Sequence, residues 1–99
     1  MEHYHQLTTH AATTVRNFLD EAHTWKTSCI HKIGQGERPC QEFHKERTTY
    51  TQRRTFIDDH LGILHLQLRM DTEAGTQEER KNLRLKIQGL KRELYQVFL

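Results

Sequence analysis

The chain has 99 residues, which is enough for one domain, and with 34% apolar residues it cannot fill a thick globular core. A net charge of +2 argues against a strongly basic nucleic-acid-binding domain, and two cysteines do not form a disulfide framework. No apolar run approaches the ~20 residues of a membrane span. We therefore expect a slender protein of the reducing cell interior, not secreted and with no membrane partner.

The first predicted element is a helix over about residues 9–33. Its apolar residues recur in steps of three and four, and they are Ala11, Val15, Phe18, Ala22, Trp25 and Cys29. Since an α-helix turns about 100° per residue, this spacing gathers them into one stripe. The hydroxyl of Thr8 or Thr9 is the predicted N-cap, and Gly34-Gln35-Gly36 ends the helix.

The second predicted helix covers about residues 39–70 and starts near Pro39, whose fixed φ suits a first helical position. Its stripe is regular only through Leu61, Leu64 and Leu68. Earlier in the helix, Arg47 and Arg54 occupy positions that would continue the stripe. Because arginine is almost never buried unpaired, either this half projects beyond the bundle or its arginines meet carboxylates such as Asp20, Glu21 or those of a partner.

The third predicted helix covers about residues 77–98, after a turn from Asp71 to Gly75. Thr76 and Glu79 form the pattern of a capping box, in which each side chain bonds the other residue's amide. The apolar stripe of this helix is Leu83, Ile87, Leu90, Leu94 and Val97.

Short linkers between the three elements imply antiparallel neighbours. We predict a single all-α domain over residues 1–99. It is either an antiparallel three-helix bundle or an elongated helical hairpin with coiled-coil-like seams. Because the seams hold few large apolar side chains, we also expect the chain to form a homo-oligomer, most simply a dimer.

One constellation suits a metal, namely His23, Cys29, Cys40 and His44. Two thiolates and two imidazoles match tetrahedral zinc, and the turn near residues 34–38 would bring the two halves together. Against this, Cys29 also fits the apolar stripe as a small core residue, and on a continuous helix the side chain of His23 points away from that of Cys29. We predict no cofactor and keep zinc as an open alternative.

A set of basic residues supports nucleic-acid binding as an alternative function. Its members are Lys45, Arg47, Arg53, Arg54 and Arg84. Arginine forks match phosphate geometry, and the nearby Tyr50 could stack on a base. Glutamates interleave with these positions, however, so the same pattern is typical of an ordinary solvated helix face.

No nucleophile elbow, phosphate-binding glycine loop or HExxH motif occurs, so we expect no enzymatic activity. Several large apolar residues lie off the main stripes or near the end of the chain and are predicted to bind a protein partner. They are Phe56, Leu66, Leu85, Tyr95 and Phe98. The preferred hypothesis is a small regulator, adaptor or inhibitor that docks onto another macromolecule.

Overall fold

The computed structural model describes residues 1–34 and 41–96, with the side chains of residues 1–29 and 45–96. It contains three α-helices: α1 (Glu2–Gly34), α2 (Gln41–Met70) and α3 (Gln77–Gln96). Every pair of helices is in contact, and consecutive helices run antiparallel. The predicted all-α three-helix bundle is confirmed.

Helix α1 begins at Glu2, well before the predicted start near residue 9. Thr8 is therefore inside the helix and caps nothing; it is 1% exposed, and its hydroxyl donates to the Tyr4 carbonyl oxygen at 2.7 Å. The early turns are fixed by tertiary contacts, because the Tyr4 hydroxyl donates to Asp71 at 2.9 Å and Leu7 packs against the core. These contacts offset the modest helix propensity of the threonines and histidines in this segment.

The junction between α2 and α3 follows the prediction. Met70 ends α2, and Gly75 adopts a φ of 69°, which favours glycine. The capping box is formed: the Glu79 amide donates to the Thr76 hydroxyl at 3.1 Å, and the Thr76 amide donates to the Glu79 carboxylate at 3.3 Å.

The core lies along the axis shared by the three helices, and each helix contributes most of its predicted stripe. Ala11 is only partly buried, and Val97 lies outside the described residues. The buried hydrophobic residues are Val15, Phe18, Ala22, Leu61, Leu64, Leu68, Leu83, Ile87, Leu90 and Leu94. Trp25 and Cys29, at the far end of the α1 stripe, are only half-buried.

The molecule is elongated, with principal extents of 58 × 19 × 17 Å. At 1.5 Å per residue the 33 residues of α1 span about 50 Å, whereas the 20 residues of α3 span about 30 Å. Tyr95, near the end of α3, lies opposite Asp58 of α2. The part of α2 before Asp58 and the part of α1 after about Phe18 therefore extend beyond the described length of α3 as a two-helix hairpin.

This projecting hairpin has its own small cluster. The Tyr50 ring lies 4.9 Å from that of Trp25 and 6.2 Å from that of Phe18. Arg53 donates two hydrogen bonds to Glu21, at 2.8 and 3.0 Å. The first sequence alternative is confirmed, because this half of α2 projects. The second alternative names Arg47 and Arg54, but the arginine that meets Glu21 is Arg53.

Candidate docking face on the second helix

Six large hydrophobic side chains are more than half exposed among the described residues, and four of them lie on α2. We call these four the outer face: Phe56 (65% exposed), Ile63 (55%), Leu66 (54%) and Met70 (74%). Phe56, Ile63 and Met70 are spaced by seven residues, and Leu66 falls three after Ile63 and four before Met70. This is the spacing by which one helix packs lengthwise against another.

Helix α2 is therefore apolar on two opposite sides. Leu66 is two residues from both Leu64 and Leu68, which places it about 200° away from each around the helix. Leu64 and Leu68 are buried, at 8% and 0% exposure, while Leu66 remains in solvent. The bundle uses one apolar side of α2 and leaves the other uncovered.

An open groove of about 370 Å³ runs beside the outer face, between α1 and α2. Phe56, His60 and Ile63 supply its α2 wall, and Leu7 and Ala11 contribute from α1. The Phe56 and His60 rings lie 4.3 Å apart, and His60 Nδ1 is 2.9 Å from the Phe56 carbonyl oxygen. Phe56 and Ile63 thus belong both to the outer face and to the wall of the groove.

The predicted partner-binding residues do not form one surface. Phe56 and Leu66 belong to the outer face, but Leu85 is on α3. Because Leu85 is two residues from both Leu83 and Ile87, which are buried, it lies on the solvent-facing side of that helix. Tyr95 is used within the fold, since its hydroxyl donates to Asp58 at 3.3 Å. Phe98 lies outside the described residues.

Ile63 and Met70 were missed in the sequence, although their signal was present. Both follow Phe56 at multiples of seven residues. This second series is hard to recognise in the sequence because it is interleaved with the core residues Leu61 and Leu64, which belong to a different face of the helix.

The basic residues proposed for nucleic-acid binding are likewise divided. Arg53 faces α1, where its bonds to Glu21 lower the pKa of that carboxyl. Arg54 faces α3, and its guanidinium lies 5.0 Å from the centre of the Tyr95 ring. Lys45 and Arg47 are exposed on the projecting hairpin, and Arg84 lies on α3 near His65. Arg53 and Arg54 thus diverge, and the predicted set does not form a single patch.

A different basic cluster occupies the edge between α2 and α3. We call it the basic edge, and it comprises His65, Arg69, Arg84 and Lys91. Partial burial lowers the pKa of His65, and the positive charges of the other three residues lower it further. Lys91 lies 3.8 Å from Asp58, whereas within the described part of the chain no carboxylate pairs with Arg69 or Arg84.

The predicted zinc site falls largely outside the described residues, which exclude Cys40 and the side chain of His44. Of the other two ligands, His23 is exposed and Cys29 is half-buried. Within the described residues, no three histidine, cysteine or acidic side chains are grouped closely enough to hold a metal ion. The zinc site remains a prediction.

Over residues 2–34, 41–70 and 77–96, none of the helices has an apolar stretch long enough to cross a bilayer.

Comparison with models of protein families, with curated proteins and with solved structures finds no match to this chain.

Proposed function

We propose that this protein is a non-enzymatic interaction module that binds another protein through the outer face of α2, and that it acts as a regulator, adaptor or inhibitor of that partner. The observation that carries the proposal is the second apolar side of α2, with four large side chains exposed at helix-packing spacing. Contiguous exposed apolar surface of this kind marks interaction sites in soluble proteins.

The outer face is not required by the fold, because ten other hydrophobic residues already form the core. Fully burying a large apolar side chain contributes about 1.5–3 kcal/mol, and each of the four is half to three-quarters exposed. Covering these four side chains would thus contribute roughly 4–7 kcal/mol of favourable binding free energy, which is comparable to the free-energy cost of association. A partner must add apolar contacts of its own, as an amphipathic helix laid along the face and its groove would do.

A pair of matched variants tests this proposal. Leu66→Asp places a charge in the outer face, whereas Leu85→Asp makes the same change at an equally exposed position on α3, at 52% against 54% exposure. Quantitative affinity capture from the native host should lose its specific partner with the first variant and keep it with the second, at both low and moderate salt. Capture that survives Leu66→Asp, or that both variants abolish equally, contradicts the proposal.

Nucleic-acid binding is the second candidate, and the basic edge favours it. Arg69, Arg84 and Lys91 bring positive charge together on two helices around one histidine. Phosphate contacts from such residues make affinity fall steeply with salt.

Fluorescence anisotropy with labelled RNA and DNA separates this candidate from the first. A nucleic-acid binder should lose affinity with rising salt and with Arg69→Ala plus Arg84→Ala. The control is Arg53→Ala, because Arg53 is already engaged by Glu21. Absence of salt-dependent binding by the wild-type protein refutes this alternative.

A further inference from the structure

We infer that the partner which covers the outer face is an amphipathic helix of another protein that carries acidic residues along one flank, and that these acidic residues bind the basic edge. The apolar stripe of that helix lies along the outer face, and its carboxylates meet Arg69 and Arg84. The inference rests on the proposed function, since it names the chemistry of the partner that binds the same face.

The outer face and the basic edge are adjacent on the surface of α2. Leu66 and Arg69 are three residues apart, which separates them by about 60° around the helix axis and makes them surface neighbours. Both side chains are exposed. A ligand that lies along the outer face therefore reaches Arg69 as well.

Helix α3 extends this positive charge along the same flank. Gln88 Nε2 lies 3.5 Å from His65 Nε2, so this side of α3 runs beside α2. Arg84 precedes Gln88 by four residues and is therefore on the same side of α3, one turn away. Lys91 also faces α2, because its Nζ would lie 3.6 Å from a Cβ at Gly62. Basic side chains from two helices thus follow one border of the outer face.

The opposite border of the outer face differs in charge. There the groove between α1 and α2 has no lysine, arginine or carboxylate among the described residues that line it. The positive charge is thus confined to the α3 side. A helix that fits both borders is acidic along one flank only.

The fold does not neutralise Arg69 and Arg84. Among the described residues neither arginine forms an ion pair, in contrast to Arg53. Side chains three or four positions away on the same helix are the nearest neighbours, and none of them is acidic. These neighbours are His65 and Leu66 for Arg69 in α2, and Arg80, Lys81, Ile87 and Gln88 for Arg84 in α3. Like charges gathered in this way repel one another, and carboxylates of a bound helix relieve that repulsion.

The position of Asp59 shows where the partner's acidic residues lie along the face. Asp59 is exposed three residues after Phe56, at the end of the outer face opposite Arg69 and Met70. A carboxylate on the partner is repelled at the Phe56 end and attracted at the Met70 end. The acidic residues of the partner are therefore expected near Met70.

Two synthetic helical peptides test the inference. The outer face from Phe56 to Met70 is about 21 Å long, and a helix of about 18 residues covers it. Both peptides carry leucines at alternating steps of three and four, and they differ only in having glutamates or lysines along one flank. In fluorescence anisotropy the glutamate peptide should bind the full chain with a Kd below about 100 μM, and the lysine peptide should bind at least about tenfold more weakly.

Matched variants locate the two contacts. Arg69→Glu plus Arg84→Glu should weaken the glutamate peptide by about tenfold and favour the lysine peptide. Lys45→Glu plus Arg47→Glu makes the same change in net charge on the projecting hairpin and should leave both peptides unaffected. Leu66→Ala should weaken the glutamate peptide by about fivefold, whereas Leu85→Ala should not. Circular dichroism of each variant should remain helical.

The inference and the proposed function fail in different ways. If both peptides bind equally and both depend on Leu66, the docking face stands and the acidic flank is wrong. If the glutamate peptide depends on Arg69 and Arg84 but not on Leu66, the outer face is not part of the site and both proposals are wrong.

Other occupants also give distinct results. Binding of a labelled RNA that exceeds binding of the glutamate peptide and does not change in Leu66→Ala would assign the basic edge to nucleic acid and overturn the inference. Competition of unlabelled chain for the peptide would assign the outer face to a second copy and also overturn it. If neither peptide binds, the inference is wrong, and affinity capture with Leu66→Asp decides the proposed function independently.

Discussion

Two leucines on α2, two residues apart, provide a direct test of which side of this helix the fold uses. Leu68 is fully buried among the three helices, and Leu66 is 54% exposed on the outer face. The same substitution, leucine to alanine, can be made at both sites. The two variants have the same composition and nearly the same helix propensity, so only burial distinguishes them.

The expected magnitudes differ severalfold. Leu→Ala in a core costs about 2–5 kcal/mol, and Leu68, at 0% exposure, should lie near 3–4 kcal/mol. A 99-residue domain is stable by roughly 5–15 kcal/mol, so Leu68→Ala removes a large part of the total. At about 4–8 °C per kcal/mol, the Tm should fall by at least 12 °C. Leu66→Ala should change the free energy of unfolding by no more than about 0.5 kcal/mol.

Urea unfolding followed by circular dichroism measures both changes, at a protein concentration low enough that self-association does not contribute. Equal destabilisation by the two substitutions would refute the assignment of Leu66 to an uncovered face. A loss below about 1 kcal/mol for Leu68→Ala would refute the assignment of the core.

Four further outcomes are expected. Thr76→Ala removes the hydroxyl that caps α3 and should cost about 1 kcal/mol of unfolding free energy in urea melts. Gly75→Ala should cost about 1–2 kcal/mol, because its φ of 69° is unfavourable for alanine and the new Cβ would lie 3.2 Å from Met1 Cβ. Gly89→Ala should instead raise stability by about 0.5–1 kcal/mol, since it lies inside a helix with open space around it. The pKa of His65 is lower in the folded chain than in the unfolded one, so its contribution to stability is complete above the unfolded pKa of about 6.5 and is lost as the pH falls below it. Thermal melts between about pH 7.5 and pH 5 should therefore show a smaller fall in Tm for His65→Gln than for wild type.

Each of these has a result that would contradict it. Thr76→Ser keeps the hydroxyl and should be close to neutral, so a large loss for serine would mean that capping is not the cause. A stabilising Gly75→Ala would show that the left-handed turn is absent. If Gly89→Ala left the free energy of unfolding unchanged, that would argue against a continuous α3. If the Tm of His65→Gln depended on pH as that of wild type does, another histidine would be responsible for the titration.

Several features could be predicted from the sequence because they depend on neighbours a few residues away. The capping box of α3 needs only Thr76 and Glu79, and the stripe from Leu83 to Leu94 follows from helical periodicity. The exposure of Phe56 and Leu66 followed from the same reasoning, as both lay off the main stripe of α2. The start of α1 could not be obtained in this way, since its first turns are fixed by contacts across the bundle such as the bond from Tyr4 to Asp71.

For the described residues, the sequence by itself determined the three helices, most of the residues that line their seams and where α3 begins, because periodicity and capping are local properties. Only the tertiary structure decided where α1 begins, which arginine meets Glu21 and where positive charge gathers beside His65. Those outcomes depend on helix lengths and on the lengthwise register of one helix against another. Because α1 and α3 both pack on the side of α2 that carries Leu61, Leu64 and Leu68, the opposite side of α2 is left facing solvent.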